Sequence, residues 1–208
     1  MKTPSTWISV TLGDVAALKH GYAFESTGFG TDGDHCLLTP GNFHQSGGIR
    51  DLGRAQKHYS GPFPEQFLLG AGDLLVAMTE QAPGLLGAAL IVPDDKRSYL
   101  HNQRLGLVKI AEPSLVGAEY LFHWLALPSV RQTIAQNASG TKVKHTSPGR
   151  LESLPILLPP LPEQRKIVEI LRAWDNAIER SEKLGGQKPR FLALCAGGFS
   201  LPVTTKFN

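Results

Sequence analysis

Cysteine is scarce in this sequence, and that scarcity argues against a fold held by disulfides or zinc. Only Cys36 and Cys195 occur, far apart, and neither belongs to a Cys-x-x-Cys pair. A disulfide framework or a structural zinc site is therefore not expected. The seven histidines are scattered without ligand spacing, so we expect no metal site and interpret them as polar surface residues.

Long apolar runs are also missing. No stretch approaches the ~18 residues that a membrane span needs. The N-terminal segment MKTPSTWISV lacks the apolar centre of a signal peptide. We therefore expect no membrane association and a cytoplasmic location. A hydrophobic content of 41% still predicts a well-formed core.

Signatures of catalysis are absent as well. The sequence has no GxxxxGK[ST] phosphate loop, no GxSxG nucleophile motif, no HExxH motif and no Asn/Asp-Pro-Pro-aromatic tetrapeptide. Asp94-Asp95-Lys96 resembles a fragment of a nuclease metal site, but it follows Pro93 at a turn and no matching acid precedes it. We expect no catalytic residue and no cofactor in this chain, and predict a binding protein instead of an enzyme.

The net charge of +3 is too small to indicate nucleic-acid binding by itself, but its distribution is uneven. Residues 1–160 carry 13 basic and 13 acidic side chains, and residues 161–208 carry 8 and 5. Two segments are poor in acidic residues. Residues 120–151 contain no acid, and their basic residues are Arg131, Lys142, Lys144 and Arg150. Residues 35–60 contain one acid, Asp51, and their basic residues are Arg50, Arg54, Lys57 and three histidines. This pattern suggests an anion-binding surface, although solvated loops would show the same charges.

Residues 7–110 have the pattern of short strands and loops. Alternation at Ile8, Val10 and Leu12 predicts a strand, followed by a short helix near Gly13-Asp14. The runs GDLLVAMTE (72–80) and GLLGAALIV (84–92) predict a hairpin with Glu80, Gln81 and Ala82 at its tip, and LGLVKI (105–110) predicts a further strand.

After Gly117 the apolar spacing becomes helical. It predicts two helices that meet near Leu127-Pro128, the second ending at Asn137 to Gly140, and then a final strand at 154–158. The irregular mixture predicts an α+β fold: one mixed α/β globular domain followed by a C-terminal amphipathic helix. We expect the domain at residues 1–160, and the helix (about 162–184) with a tail at residues 161–208.

Three prolines, Pro159, Pro160 and Pro162, stand before this C-terminal helix. We predict that they fix the angle between the domain and the helix. Apolar residues then recur at heptad-like intervals and form one stripe, which would pack on another chain or on the helix's own domain. The stripe consists of Ile167, Ile170, Leu171, Trp174, Ala177, Ile178 and Leu184.

The segment LESLPILLPPLPEQRKIVEIL (151–171) resembles the junction between recognition domain and long helix in the DNA-specificity (S) subunits of type I restriction-modification systems. Four other segments resemble that family in the same order, so that the likeness covers about Trp7 to Leu184. They are LGDVAALKHGYAF (12–24), GDLLVAMTEQAPGLLGAALIV (72–92), NQRLGLVKI (102–110) and ASGTKVKHTSPGRLESL (138–154).

The resemblance implies a role in a larger complex. A full S subunit has two recognition domains and two antiparallel helices, so this chain, with one of each, resembles a half subunit. Its partners would be double-stranded DNA, a methyltransferase subunit that binds S-adenosylmethionine and flips an adenine, and a restriction subunit. Pairing as a homodimer or with a second half subunit would give a bipartite target. After Leu184 the glycines and proline depart from the family, which predicts a short helix and a loosely attached tail.

Three groups of side chains are candidates for DNA contact. The last recognition loop offers small donors and cations, the hairpin tip offers groups suited to adenine or cytosine edges, and the segment around residue 54 is basic. In that order the groups are Ser139, Thr141, Lys142, Lys144 and His145; Thr79, Glu80 and Gln81; and Arg50, Arg54, Lys57, His58 and Tyr59. Tyr22 would stack or bind a phosphate, or else pack as a buried aromatic near Phe24.

Two other functions stay open. The balanced charge of residues 1–160 suits an interaction module, or a truncated fragment, that binds or titrates methyltransferase subunits without reading DNA. A stand-alone nuclease or methyltransferase is the weaker alternative, because the chain lacks the motifs for either.

Overall fold

The computed structural model describes residues 6–185, except for the side chains of residues 179 and 182–185. Within this range the chain forms short strands, four α-helices and several single 3-10 turns. The strands are β1 (Ile8–Thr11), β2 (Ala16–His20), β3 (Phe29–Gly30), β4 (His35–Leu38), β5 (His58–Tyr59), β6 (Leu68–Leu69), β7 (Leu74–Ala77), β8 (Ala89–Ile91), β9 (Ser98–His101), β10 (Leu105–Ile110) and β11 (Pro155–Leu158). The helices are α1 (Ala118–Ala126), α2 (Pro128–Gln136), α3 (Pro148–Glu152) and α4 (Leu161–Gly185).

The strands form three sheets. A four-stranded antiparallel sheet has the order β2-β10-β7-β8, and a five-stranded sheet has the order β3-β5-β4-β9-β6. In the second sheet β4 and β9 pair in parallel, whereas the other pairs are antiparallel. The third sheet pairs β1 with β11, so that it joins the start of the domain to its end. Sheets and helices thus share one fold, and the predicted α+β class is confirmed.

The central strand β7 is buried on both of its faces. Leu74 and Val76 pack in one hydrophobic cluster with α1, and Leu75 and Ala77 pack in a second cluster. Successive side chains of a strand point to opposite faces, so one apolar run supplies both clusters. The predicted hairpin is confirmed, because β7 pairs antiparallel with β8.

Helices α1 and α2 also follow the sequence prediction. Leu121, Trp124 and Leu125 of α1 are buried, as is Ile134 of α2. Leu127 between them is extended, with φ −60° and ψ 131°. A residue that precedes a proline disfavours the helical region, so the break at Leu127-Pro128 has a local cause.

The helix predicted near Gly13-Asp14 is shorter than expected. Instead of a short helix near Gly13-Asp14, the chain makes a single 3-10 turn at Leu12–Asp14 and then enters β2. The Asp14 carboxylate accepts hydrogen bonds from the backbone N–H and the hydroxyl of Thr11, which caps the turn and lowers the pKa of Asp14. The hydrophobic segment that follows extends as a strand because β10 pairs with it.

The start of α4 is tied to the domain by a buried side chain. Gln164 is 2% exposed. Its Oε1 accepts a hydrogen bond from the N–H of Gly117 at 3.1 Å. Its Nε2 donates to the backbone carbonyls of Leu115 and Pro159. Trp7 Nε1 also donates to Glu163 Oε2 at 2.9 Å. Contacts divide the chain into one unit up to Val168 and another from Glu169, so the first turns of α4 belong with the first unit.

The predicted C-terminal helix is confirmed from Leu161 to Gly185. On its predicted stripe, Ile167, Leu171 and Ile178 are half-buried, Ala177 is exposed, and Ile170 and Trp174 are more than half exposed. The side chain of Leu184 and the predicted tail lie outside the described residues. No helix in the part of the chain that the structure describes is long and apolar enough to cross a membrane.

Candidate nucleic-acid interface

Two of the three candidate segments are joined through their backbones. We call residues 79–84 the hairpin loop and residues 139–145 the basic loop. The N–H of Glu80 donates to the carbonyl of Lys144 at 2.9 Å, and Thr146 N–H donates to the carbonyl of Met78 at 2.9 Å. Thr79 and His145 also form an antiparallel bridge. The two loops, about 60 residues apart in sequence, therefore form one continuous surface.

The basic loop is closed on itself as well. The N–H of Ser139 donates to the carbonyl of His145 at 2.9 Å, and His145 N–H donates back to Ser139 at 2.7 Å. Gly140 has a φ of +101°, and a Cβ there would lie 2.2 Å from the carbonyl oxygen of Val143. Only glycine suits such a position. The loop backbone is thus fixed, while its side chains remain available.

The side chains of the basic loop are exposed, including Ser139, Thr141, Lys142, Lys144 and His145. Among the described residues, no carboxylate lies within ion-pair distance of Lys142 or Lys144. Sequence reasoning missed Val143, which stands between these lysines and is 42% exposed. The signal available in the sequence was an apolar residue between two lysines in a segment that follows a glycine.

The hairpin loop offers fewer available groups than expected. Gln81 is exposed and Thr79 half-buried. The carboxylate of Glu80, however, accepts the N–H of Gly84 at 3.1 Å and so helps to hold the loop. The Gln81 amide nitrogen lies 3.9 Å from where a Cβ would stand at Gly41, which places the loop beside the segment that leads to Arg50.

In the third segment all three candidate cations are presented to solvent. Arg50, Arg54 and Lys57 are exposed. Arg54 lies on the 3-10 turn Gly53–Ala55, and the Lys57 ammonium stands 5.9 Å from the centre of the Phe29 ring. Like the lysines of the basic loop, these three cations make no ion pair with the carboxylates that the structure describes.

Tyr59 of that segment is turned inward, which corrects its selection as a DNA contact, whereas the selection of His58 stays a prediction. Tyr59 is 1% exposed, its hydroxyl donates to the carbonyl of Pro62 at 3.3 Å, and its ring meets Phe24 edge-on at 4.8 Å. Tyr59 cannot contact DNA without unpacking this cluster. His58 is half-buried, with Nδ1 3.2 Å from the carbonyl oxygen of Gly33.

Tyr22 follows the second of its two alternatives. Its ring centre lies 5.1 Å from those of both Phe24 and Phe67, so it packs with the buried aromatic cluster. Tyr59, Phe63 and Phe67 recur at four-residue intervals in the sequence, and this repetition of large apolar rings was the available sign of a core cluster.

The acid that resembled a nuclease fragment is engaged elsewhere. Asp95 Oδ2 accepts from Arg97 Nε and from the Tyr99 hydroxyl, both at 2.8 Å. The Arg97 guanidinium holds the pKa of the Asp95 carboxyl below its usual range, and burial raises that of Tyr99. Among residues 6–185, no group of three or more His, Cys, Asp and Glu side chains is arranged to hold a metal ion.

Comparison with known proteins identifies the family of this chain. A family model described as "Type I restriction modification DNA specificity domain" matches residues 4–185. The "Type I restriction enzyme EcoBI specificity subunit" of Escherichia coli is 30% identical over 189 residues, which are 90% of this chain and 36% of that protein. The MjaVIII specificity subunit of Methanocaldococcus jannaschii is 24% identical over 180 residues, 86% of this chain and 42% of that protein.

Solved structures agree at the level of the fold. The HsdS subunit from Thermoanaerobacter tengcongensis matches with a TM-score of 0.59 at 19% identity, over 88% of this chain and 41% of that chain. The S subunit from M. genitalium matches with a TM-score of 0.61 at 18% identity, over 88% and 43%. The chain thus spans about two fifths of the length of these relatives. Because the family model matches residues 4–185, which include all of the described residues, the chain belongs to the type I restriction modification DNA specificity domain family.

Proposed function

We propose that this chain reads a DNA sequence as a non-catalytic specificity component of a type I restriction-modification complex. The observation that carries the proposal is the joined pair of loops, which backbone hydrogen bonds hold together while Lys142 and Lys144 remain exposed. Such a surface can bind a polyanion without first breaking ion pairs of its own. The recognition domain would comprise residues 1–160.

The candidate groups divide by chemistry into two roles. Lys142, Lys144, Arg50, Arg54 and Lys57 would neutralise phosphates, which supplies affinity and sets the position of the domain on DNA. The uncharged donors and acceptors would touch base edges and supply selectivity. They are Thr79, Gln81, Ser139, Thr141 and His145. Ser139 already accepts a hydrogen bond from Arg150 Nη1 at 2.9 Å, which orients its hydroxyl.

The helix from residue 161 onward would provide the partner surface. Ile170 and Trp174 expose more than half of their area along the heptad-like stripe of α4. We propose that this stripe pairs with a second copy or a second half subunit, so that two recognition domains read a bipartite target. A separate methyltransferase subunit carrying S-adenosylmethionine would then flip and methylate an adenine, and a restriction subunit would join this complex.

The test begins with DNA selection. The 208-residue chain is incubated with random duplexes, and the retained pool is sequenced. We expect one short enriched motif and an affinity that falls steeply with salt, because each neutralised phosphate releases counterions. Methylation mapping in cells with and without the gene should then reveal a modified site that contains the motif. Absence of both DNA binding and site-specific methylation would overturn the proposal.

The same experiment separates the main alternative. A chain that only binds or titrates methyltransferase subunits would co-purify with them and would enrich no motif. The balanced charge of residues 1–160 does not favour this alternative over DNA reading. The reason is that five exposed cations of that part, on the basic loop and near Arg54, make no ion pair with a carboxylate that the structure describes.

A further inference from the structure

One partly buried arginine, Arg131, uses its guanidinium group to hold the backbone of two loops. Arg131 of α2 donates from Nε to the carbonyl of Leu86 at 2.8 Å, from Nη1 to the carbonyl of Gln45 at 3.1 Å, and from Nη2 to the carbonyl of Gly84. Three nitrogens of one guanidinium thus bind three backbone carbonyls. Two of these belong to the connection between β7 and β8, and the third belongs to a separate loop.

The surrounding contacts extend this arrangement to the hairpin loop. The side chain of Gln45 donates to the carbonyl of Pro83 at 2.7 Å, and Glu80 accepts from Gly84 N–H. Gly87 has a φ of +74°, and a Cβ there would lie 2.7 Å from the Ile134 side chain and 3.4 Å from Arg131 Nε. The absence of that Cβ lets the connection lie against α2.

The geometry points to Arg131 as the positioning residue that holds the hairpin loop in the shape in which it reads DNA. This inference rests on the proposed function but concerns a residue set back from the exposed loop side chains. Arg131 acts through Gly84 and Leu86 on the backbone that carries Thr79 and Gln81. The N–H of Glu80 also donates to the backbone carbonyl of Lys144. Arg131 therefore constrains the basic loop as well, through the hairpin loop.

An arginine suits this task because its planar fork presents donors in fixed directions. A lysine offers one nitrogen and cannot reach three separated carbonyls together. Burial lowers the pKa of the Arg131 guanidinium, and the Glu80 carboxylate opposes that effect. The carbonyls and the nearby carboxylate therefore hold a cation that would otherwise be costly to keep partly buried.

The test compares Arg131→Met with Arg97→Met, which also removes one positive charge but lies in the Asp95–Tyr99 turn. The first measurement is discrimination: the affinity for the selected duplex divided by that for a scrambled duplex of equal length. We expect a loss of about tenfold for Arg131→Met, similar to the effect of one mismatched base pair. Arg97→Met should keep the wild-type ratio, and Arg131→Lys should fall between.

The second measurement is amide hydrogen exchange without DNA, which reports the loop directly. In Arg131→Met, exchange at residues 80–86 should accelerate by about tenfold or more, while the core of β7 and β8 stays protected. If the wild type selects no motif, the proposed function fails, and the exchange data still decide the role of Arg131. Unchanged discrimination together with unchanged loop exchange would overturn the inference. If Arg131→Met does not fold, Arg131→Lys decides by the same two readouts.

Discussion

The basic loop and the segment around Tyr59 were selected from the sequence for similar reasons, yet they fold in opposite ways. The basic loop exposes its polar and charged side chains, whereas the segment around Tyr59 exposes its cations Arg50, Arg54 and Lys57 but buries Tyr59. An unpaired cation is costly to bury, so the cations of an acid-poor stretch are expected at the surface unless, like Arg131, they bind backbone carbonyls. A tyrosine has a large apolar body and one polar atom, and a single backbone carbonyl satisfies it.

The largest expected effect tests the buried side of this comparison. Tyr59→Ala should lower the free energy of unfolding by about 3–5 kcal/mol, because it empties the space between Phe24 and Phe63. Tyr59→Phe should cost only about 1 kcal/mol, through loss of the hydrogen bond to Pro62. Urea unfolding measures both values.

DNA affinity provides the control for the same position. Tyr59→Phe should bind DNA like the wild type, whereas Arg54→Gln should bind several-fold more weakly and keep its stability, because Arg54 is exposed. A Tyr59→Phe variant of normal stability that bound DNA poorly would contradict the assignment of Tyr59 to the core.

Gln164 extends the comparison to an uncharged polar residue in the Pro-Pro junction. Gln164→Leu leaves the N–H of Gly117 and the carbonyls of Leu115 and Pro159 without their partner. We expect a loss of about 2–3 kcal/mol in unfolding free energy, because unsatisfied buried groups keep their desolvation cost. Gln66→Leu, at an exposed position, should change stability by less than about 0.5 kcal/mol. Equal effects in the two variants would remove Gln164 from its anchoring role.

Two glycines test whether the basic loop needs its shape. Gly140→Ala should lower stability by about 1–3 kcal/mol and weaken discrimination between DNA sequences, because its φ of +101° and its contact with Val143 exclude a side chain. Gly149 lies in α3 with open space around its Cβ position, so Gly149→Ala should stabilise by about 0.5–1 kcal/mol. Thermal unfolding and DNA binding of both variants check this; a Gly140→Ala variant with wild-type discrimination would show that the loop shape is not needed.

The smallest effect concerns a buried histidine. His101 is buried, and its Nε2 donates to the carbonyl of Leu105 at 2.9 Å. Burial lowers the pKa of His101 below the usual 6.5. Its neutral form therefore supports stability above pH 6.5, and this support is lost as the pH falls, by at most about 1.4 kcal/mol per pH unit.

Stability measured from pH 7.5 to pH 5.5 in His101→Gln should lose part of this slope, whereas Gln66→Leu, which removes no titratable group, should keep the wild-type slope. An unchanged slope in His101→Gln would show that the buried histidine does not titrate as described.

Local features of the fold could be predicted from the sequence, and long-range ones could not. The helix break at Pro128 and the strand at Leu105–Ile110 depend on neighbouring residues, and both are confirmed. The parallel pairing of β4 with β9 and the joining of the hairpin loop to the basic loop bring together segments about 60 residues apart. No local pattern encodes such a pairing.

The candidate site shows the same limit. Exposure of Lys142 and Lys144 follows from the cost of burying charge and could be anticipated. The burial of Tyr59 and the contacts of Arg131 depend on which carbonyls the fold brings near, which composition does not reveal. The charge pattern predicted which segments lie at the surface. Which polar side chains of those segments are buried depends on the hydrogen-bond partners that the fold supplies.

The central claim is that the joined loops bind DNA phosphates through their unpaired lysines, and the salt dependence of affinity tests it most directly. The slope of log affinity against log salt should be about two units shallower for Lys142→Gln/Lys144→Gln than for the wild type, at about 0.9 per lost phosphate contact. The control Lys19→Gln/Lys96→Asn removes two exposed lysines elsewhere and should keep the wild-type slope. Identical slopes for both double variants and the wild type would contradict the account.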